Sequence, residues 1–229
     1  MVKKERWYFI MKSKIFKTIC VCSFCLGLMF LLIDNTRVIE STMSAQLIND
    51  ASNFQELEDV SDVIIKAKVL NGKQNIITDI DEFGNDLFGF TKTKIEVLES
   101  FKGNAKINDT LTIMEGYFSR DLTVGKEIIT LSSYKPAKVG KEYVFYLIKY
   151  NKSDEKLKGM YYLPNCEKGK YPVIYKKNNN SSTPILQTNS AELNAEILEI
   201  NDAREAEGLS VEEYKNDYYD KVVEKYLKK

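Results

Sequence analysis

Apolar and polar residues alternate over several short stretches of this 229-residue chain, and a period of two predicts β-strands. Val63, Ile65, Ala67 and Val69 share one face, while Ile64, Lys66 and Lys68 share the other. Asn71-Gly72 then marks a turn. Residues 91–98 alternate again, with Ile95 and Val97 on one side and Lys92, Lys94 and Glu96 on the other. After the turn Lys102-Gly103-Asn104, Leu111 and Ile113 form a third inward pair. Ile128 to Leu131 is a fourth strand, Val139-Gly140 a break, and Tyr143 to Tyr150 a fifth, rich in β-branched and aromatic residues. Tyr161 to Leu163 and Tyr171 to Tyr175 add one or two more. Short strands parted by turns predict a sandwich or small barrel.

Helical spacing frames this β-body. Ser52 with Gln55 has the spacing of a capping box, with Leu57 and Val60 as the inner face of a short helix. A polar run over 176–182 precedes a change of period: Leu193, Ile197 and Ile200 fit one helix face. Gly208 interrupts, and Ser210 with Glu213 caps a second helix carrying Val211, Tyr214, Tyr218 and Val222.

The apolar pattern is different near the start. Residues 18–33 carry no charge, and Lys12, Lys14 and Lys17 precede them. This is the pattern of an export signal or membrane anchor, whose basic flank stays in the cytoplasm. Thr42 and Ser44 offer small residues for cleavage, so removal and retention both stand as expectations. Ile19, Val21 and Phe24 precede Cys20, Cys22 and Cys25, which disfavours lipidation. Met11-Lys-Ser-Lys begins a more ordinary signal than Met1 does, so a start at Met11 is expected.

Charge and composition narrow the classes. Basic and acidic residues number 33 each; seven basic and three acidic precede Gln46, leaving 26 and 30 beyond it. That acidic body lacks the signature of a nucleic-acid partner. The chain has no histidine, which excludes Ser-His-Asp and Cys-His catalysis and all His metal sites. Cys166 alone lies beyond the apolar segment, so the body forms no internal disulfide and rests on its core.

Ser61 to Val69 resembles the first strand of netrin/TIMP-like OB-fold modules. Val97-Leu-Glu-Ser-Phe-Lys-Gly103 followed by Asn108-Asp-Thr-Leu-Thr-Ile113 is similar to their strand, Lys-Gly turn and next strand. Gly140-Lys-Glu-Tyr-Val-Phe-Tyr146 resembles their closing strand. The likeness covers about residues 61–150, and the layout resembles exported proteins of Gram-positive bacteria carrying such a domain. The cysteines that staple the animal modules are absent. Pattern and resemblance together give a mainly β fold with a helical tail: the resemblance implies a small OB-like β-barrel of five to seven short strands, and the pattern adds two C-terminal helices and an N-terminal apolar export helix. The expected divisions are 1–45 (signal or anchor), 46–185 (barrel) and 186–229 (helical tail).

Few residue sets could carry chemistry. Asp79, Asp81 and Gly84 sit at calcium-loop positions, and with Asp86 the two aspartates are the candidate metal ligands. Phe83 and Phe90 occupy two positions where ligands are needed, so an acidic hairpin loop without metal is the expectation. Ser132-Ser-Tyr-Lys135 matches Ser-x-x-Lys, but Pro136 disfavours the helical turn that chemistry needs. Leu163-Pro-Asn-Cys166 reads as a turn. A carboxylate pair such as Glu115 with Asp121 cannot be told from ordinary surface acids. Tyr143, Tyr146, Tyr161 and Tyr162 are candidates for an aromatic face that takes a glycan or peptide.

The expected function is therefore a non-enzymatic, envelope-associated binding protein on the extracellular side of the membrane, anchored or secreted. No cofactor is expected, and the partner is an envelope or extracellular protein or glycan. An OB-fold oligosaccharide binder and a carboxylate-dependent hydrolase are the alternatives.

Overall fold

A computed structural model describes residues 21–23, 37–43, 51–84, 86–122, 125–131, 134–151, 154–164, 168–176, 185–186 and 215–228. The strands are β1 (Val38–Met43), β2 (Val63–Val69), β3 (Gln74–Ile80), β4 (Asp86–Lys102), β5 (Thr110–Glu115), β6 (Tyr117–Asp121), β7 (Lys126–Leu131), β8 (Glu142–Lys149), β9 (Tyr161–Tyr162), β10 (Lys170–Val173), β11 (Tyr175–Lys176) and β12 (Ile185–Leu186). Helix α1 spans Phe54–Val60. The C-terminal helix, α2, is wound as π over Lys215–Tyr219, as α over Asp220–Val222 and as π again over Val223–Leu227.

Five strands close into a barrel in the order β2–β4–β5–β9–β8, with β8 pairing back on β2. All contacts are antiparallel except β5 with β9. This Greek-key closure makes the barrel OB-like. Strands β3 and β10 lie outside it, on β4 and β8. Two register shifts along β2 against β4 coil the pair sharply, as a barrel this small requires. The turns fall at the expected glycines: Gly72, Gly103 and Gly140 all have positive φ, which a Cβ would oppose.

The interior is the alternating set read from the sequence. Val63, Ile65, Ala67 and Val69 meet Ile95, Val97, Ile113, Tyr143, Phe145 and Leu147. Strand β8 is buried on both faces, which accounts for its unbroken apolar run. Its other face, with Ile64 and Tyr171, is covered by Leu57 of α1 and by Tyr218, Tyr219, Val222, Val223 and Tyr226 of α2. These α2 residues recur every four positions, a spacing suited to its widened turns. Tyr146 is their hub, lying edge-on to the rings of Phe54, Tyr171 and Tyr226.

Several expectations shift. Helix α1 is capped one residue later than predicted: Asn53 Oδ1 accepts the Glu56 amide at 3.0 Å, while Ser52 donates its amide and hydroxyl to Glu56. Val60 is exposed rather than inward. The Ile128–Leu131 strand exists as part of β7, yet it belongs to a separate three-stranded sheet ordered β1–β7–β6. Strand β1 lies within the stretch assigned to the export segment.

The chain divides into two compact units, residues 1–40 with 120–128, and 41–119 with 129–229. In the smaller unit, Gly125 turns tightly at φ +84° against the Arg37 carbonyl, which accepts the Lys126 amide at 2.9 Å. Of the apolar stretch 18–33, residues 21–23 are described and are helical. Among the described residues no helix is long and apolar enough to cross a membrane. The helix expected around Leu193, Ile197 and Ile200, and the cap at Ser210 and Glu213, lie outside the described residues.

Candidate functional site

Strand β4 outruns the barrel, and its first residues pair with β3 to form a hairpin. Ile76 faces Phe90 and Ile77 faces Gly89, after which two irregularities bring Ile80 opposite Asp86. The turn follows from its residues. Asp81 accepts the Phe83 amide through its side chain at 2.9 Å and the Gly84 amide through its carbonyl at 3.0 Å. Gly84 supplies the positive φ that closes it. The tip leaves large apolar side chains in solvent: Phe83 is 81% exposed, Ile80 56%, Leu87 45% and Phe88 38%. Acidic residues flank them along the chain, at Asp79, Asp81, Glu82 and Asp86.

The base of the hairpin is held firmly. Asn75 imitates a strand pairing with its side chain: Nδ2 donates to the Ser119 carbonyl at 2.6 Å, and Oδ1 accepts the Ser119 amide at 2.8 Å. Thr91 Oγ1 donates to the Tyr117 carbonyl at 2.8 Å. Gly89 allows the buried Phe118 ring to lie against the strand, where an added Cβ would sit 3.0 Å from that ring and 2.6 Å from the Ile76 carbonyl oxygen. The apolar tip is thus presented by an anchored stem.

Beneath the stem lies a buried carboxylate. Glu115 has no solvent exposure. Its Oε1 accepts from Lys73 Nζ at 2.7 Å and from Thr93 Oγ1, and its Oε2 accepts from Tyr134 Oη and the Ala137 amide, each at 2.7 Å. Lys73 also donates to Tyr117 Oη at 3.1 Å and to the Ala137 carbonyl. Two donors on each oxygen use the acceptor capacity of the carboxylate and leave no lone pair aimed at a substrate. The arrangement locks residues 134–137 to β5. Burial, and then the nearby Glu115 charge, raise the Tyr117 phenol above its ordinary value. Lys170, also buried, lies over the Tyr134 and Tyr143 rings at 4.7 and 5.2 Å and donates to the Lys135 carbonyl.

The predicted sets come apart. Tyr143 and Tyr146 form no shared aromatic face: Tyr143 points into the barrel and Tyr146 toward the helices, both buried. Tyr161 and Tyr162 are half-buried on β9. Glu115 is a core residue rather than a surface acid, whereas the Asp121 side chain is exposed. Asp79, Asp81 and Asp86 share the hairpin end, and among the described residues no three His, Cys, Asp or Glu side chains are grouped to hold a metal. Ser132, Ser133, Asn165 and Cys166 lie outside the described residues.

Two features escaped the sequence reading although a signal was there. Leu111, Ile113 and Glu115 share one face by period two, which already put Glu115 inward. Phe83 stands between Glu82 and Gly84, an aromatic residue inside a turn sequence where solvent exposure is expected. No protein-family model matches the sequence, and no curated protein matches it significantly.

Proposed function

We propose that this protein is an exported, envelope-associated binding protein without catalytic activity, and that the β3–β4 hairpin is its docking surface. The observation that carries the reading is the exposure of Ile80 and Phe83, with Leu87 nearby in the chain, at the end of a stem pinned at Asn75 and Thr91. Exposed large apolar side chains cost solvation unless a partner covers them, and an anchored stem limits the entropy lost on docking. The hairpin joins the first two barrel strands, the place where OB-folds carry one of their binding loops. The saturated hydrogen bonding of Glu115 argues against a carboxylate hydrolase, and the burial of Tyr143 and Tyr146 against an aromatic glycan platform built from them. The export segment at 18–33 supplies the expected location and membrane contact.

The test compares full-length protein with its Phe83→Ser/Leu87→Ser variant in gently solubilised envelope. The wild type should migrate in a larger assembly, and the variant should fold and melt normally but migrate alone. An assembly of unchanged size in the variant would remove the hairpin from the reading.

A further inference from the structure

We infer that the partner at the hairpin is a protein offering an apolar surface flanked by Lys and Arg; this rests on the docking reading above. The argument is charge complementarity. From Gln46 onward the chain has 26 basic and 30 acidic residues, an excess of four acids. The hairpin holds Asp79, Asp81, Glu82 and Asp86, and no Lys or Arg stands between Lys73 and Lys92. Four carboxylates therefore stand in the same short stretch of chain as two exposed apolar residues, Phe83 and Ile80.

That combination selects among occupants. An apolar tip alone would suit a bilayer, but four carboxylates at the same end of the hairpin are repelled by anionic lipid headgroups and are costly to desolvate in a neutral bilayer. A second hairpin from another copy would bring like charges together. A cationic rim around an apolar cleft answers both features, since its charge complements the acidic hairpin while Phe83 fills the cleft. Apolar anchors give such interfaces most of their affinity, and the charges steer encounter and reject unsuited partners.

The experiment places photoreactive benzoylphenylalanine at position 83 of the full-length protein in cells stripped of their wall. Adducts are formed at about 0.05 and about 0.5 M salt, with osmolarity held constant, a range that shortens the screening length several-fold. The expected product is a protein adduct whose cross-linked peptide lies among Lys and Arg. Its yield should fall at least about threefold at high salt and similarly in an Asp81→Asn/Glu82→Gln background, because steered association depends on those charges. A lipid adduct would overturn the inference in favour of a bilayer, and an adduct on another copy of this chain in favour of self-association. A protein adduct on an acidic or neutral surface, or one indifferent to salt, would overturn the partner chemistry while leaving the hairpin as a docking site. Absence of any adduct, with the protein shown to be folded and on the outer face, would overturn both this inference and the docking reading.

Discussion

The two ends of β4 obey opposite rules. Over residues 93–97, the inward side chains of Thr93, Ile95 and Val97 are fully buried and the outward ones are polar. Over residues 86–88 of the same strand, Leu87 and Phe88 are exposed beside an acidic turn. Backbone pairing continues throughout, with β2 and β5 at one end and β3 at the other. The difference teaches that strand formation and core formation are separable. Hydrogen-bonded pairing makes the hairpin, but only a second layer makes a core, and among the described residues none covers the tip.

The contrast is broken most severely inside the barrel. Phe145→Ala should cost about 3–5 kcal/mol in urea unfolding, as removing a buried ring from a packed interior does. Next comes Glu115→Ala, expected to cost about 3 kcal/mol because Lys73 and the Tyr134 hydroxyl lose their shared partner. Pairing it with Lys73→Met in a double-mutant cycle should recover part of that loss. Gly89→Ala tests the junction between the two ends: the new Cβ meets Ile76 and Phe118, and a loss of about 1–3 kcal/mol is expected from overpacking.

A smaller effect is expected from alkali. Burial, with the hydrogen bond to Glu58, raises the Tyr226 phenol above its ordinary value near 10. The folded value is the higher one, so this contribution to stability is complete below about pH 10 and is lost as pH rises further. Urea midpoints should fall above that pH, and Tyr226→Phe should flatten the fall. Smallest of all, Phe83→Ser should change stability by no more than about 0.5 kcal/mol, since its ring is already in solvent. A larger loss would mean that the tip is part of the core after all.

The sequence by itself determined the strands whose apolar residues alternate, because a pleated chain sends neighbours to opposite faces whatever surrounds it. Strands β2, β5 and β8 and the glycine turns at 72, 103 and 140 were legible for that reason. Strands β3 (Gln-Asn-Ile-Ile-Thr-Asp-Ile) and β6 (Tyr-Phe-Ser-Arg-Asp) were not, since neither alternates cleanly and each is fixed by pairing or by contacts such as Asn75 with Ser119. Tertiary structure alone decided which faces are covered. The same period that separates Tyr143 from Tyr146 says nothing of helices packing outside the barrel, so the outward Tyr146 is as buried as a core residue. It decided equally that four donors converge on Glu115, which turns a strand-end acid into an interior fastening. At the hairpin it decided the reverse: Ile80 and Phe83, apolar residues that composition would assign to a core, lie largely in solvent.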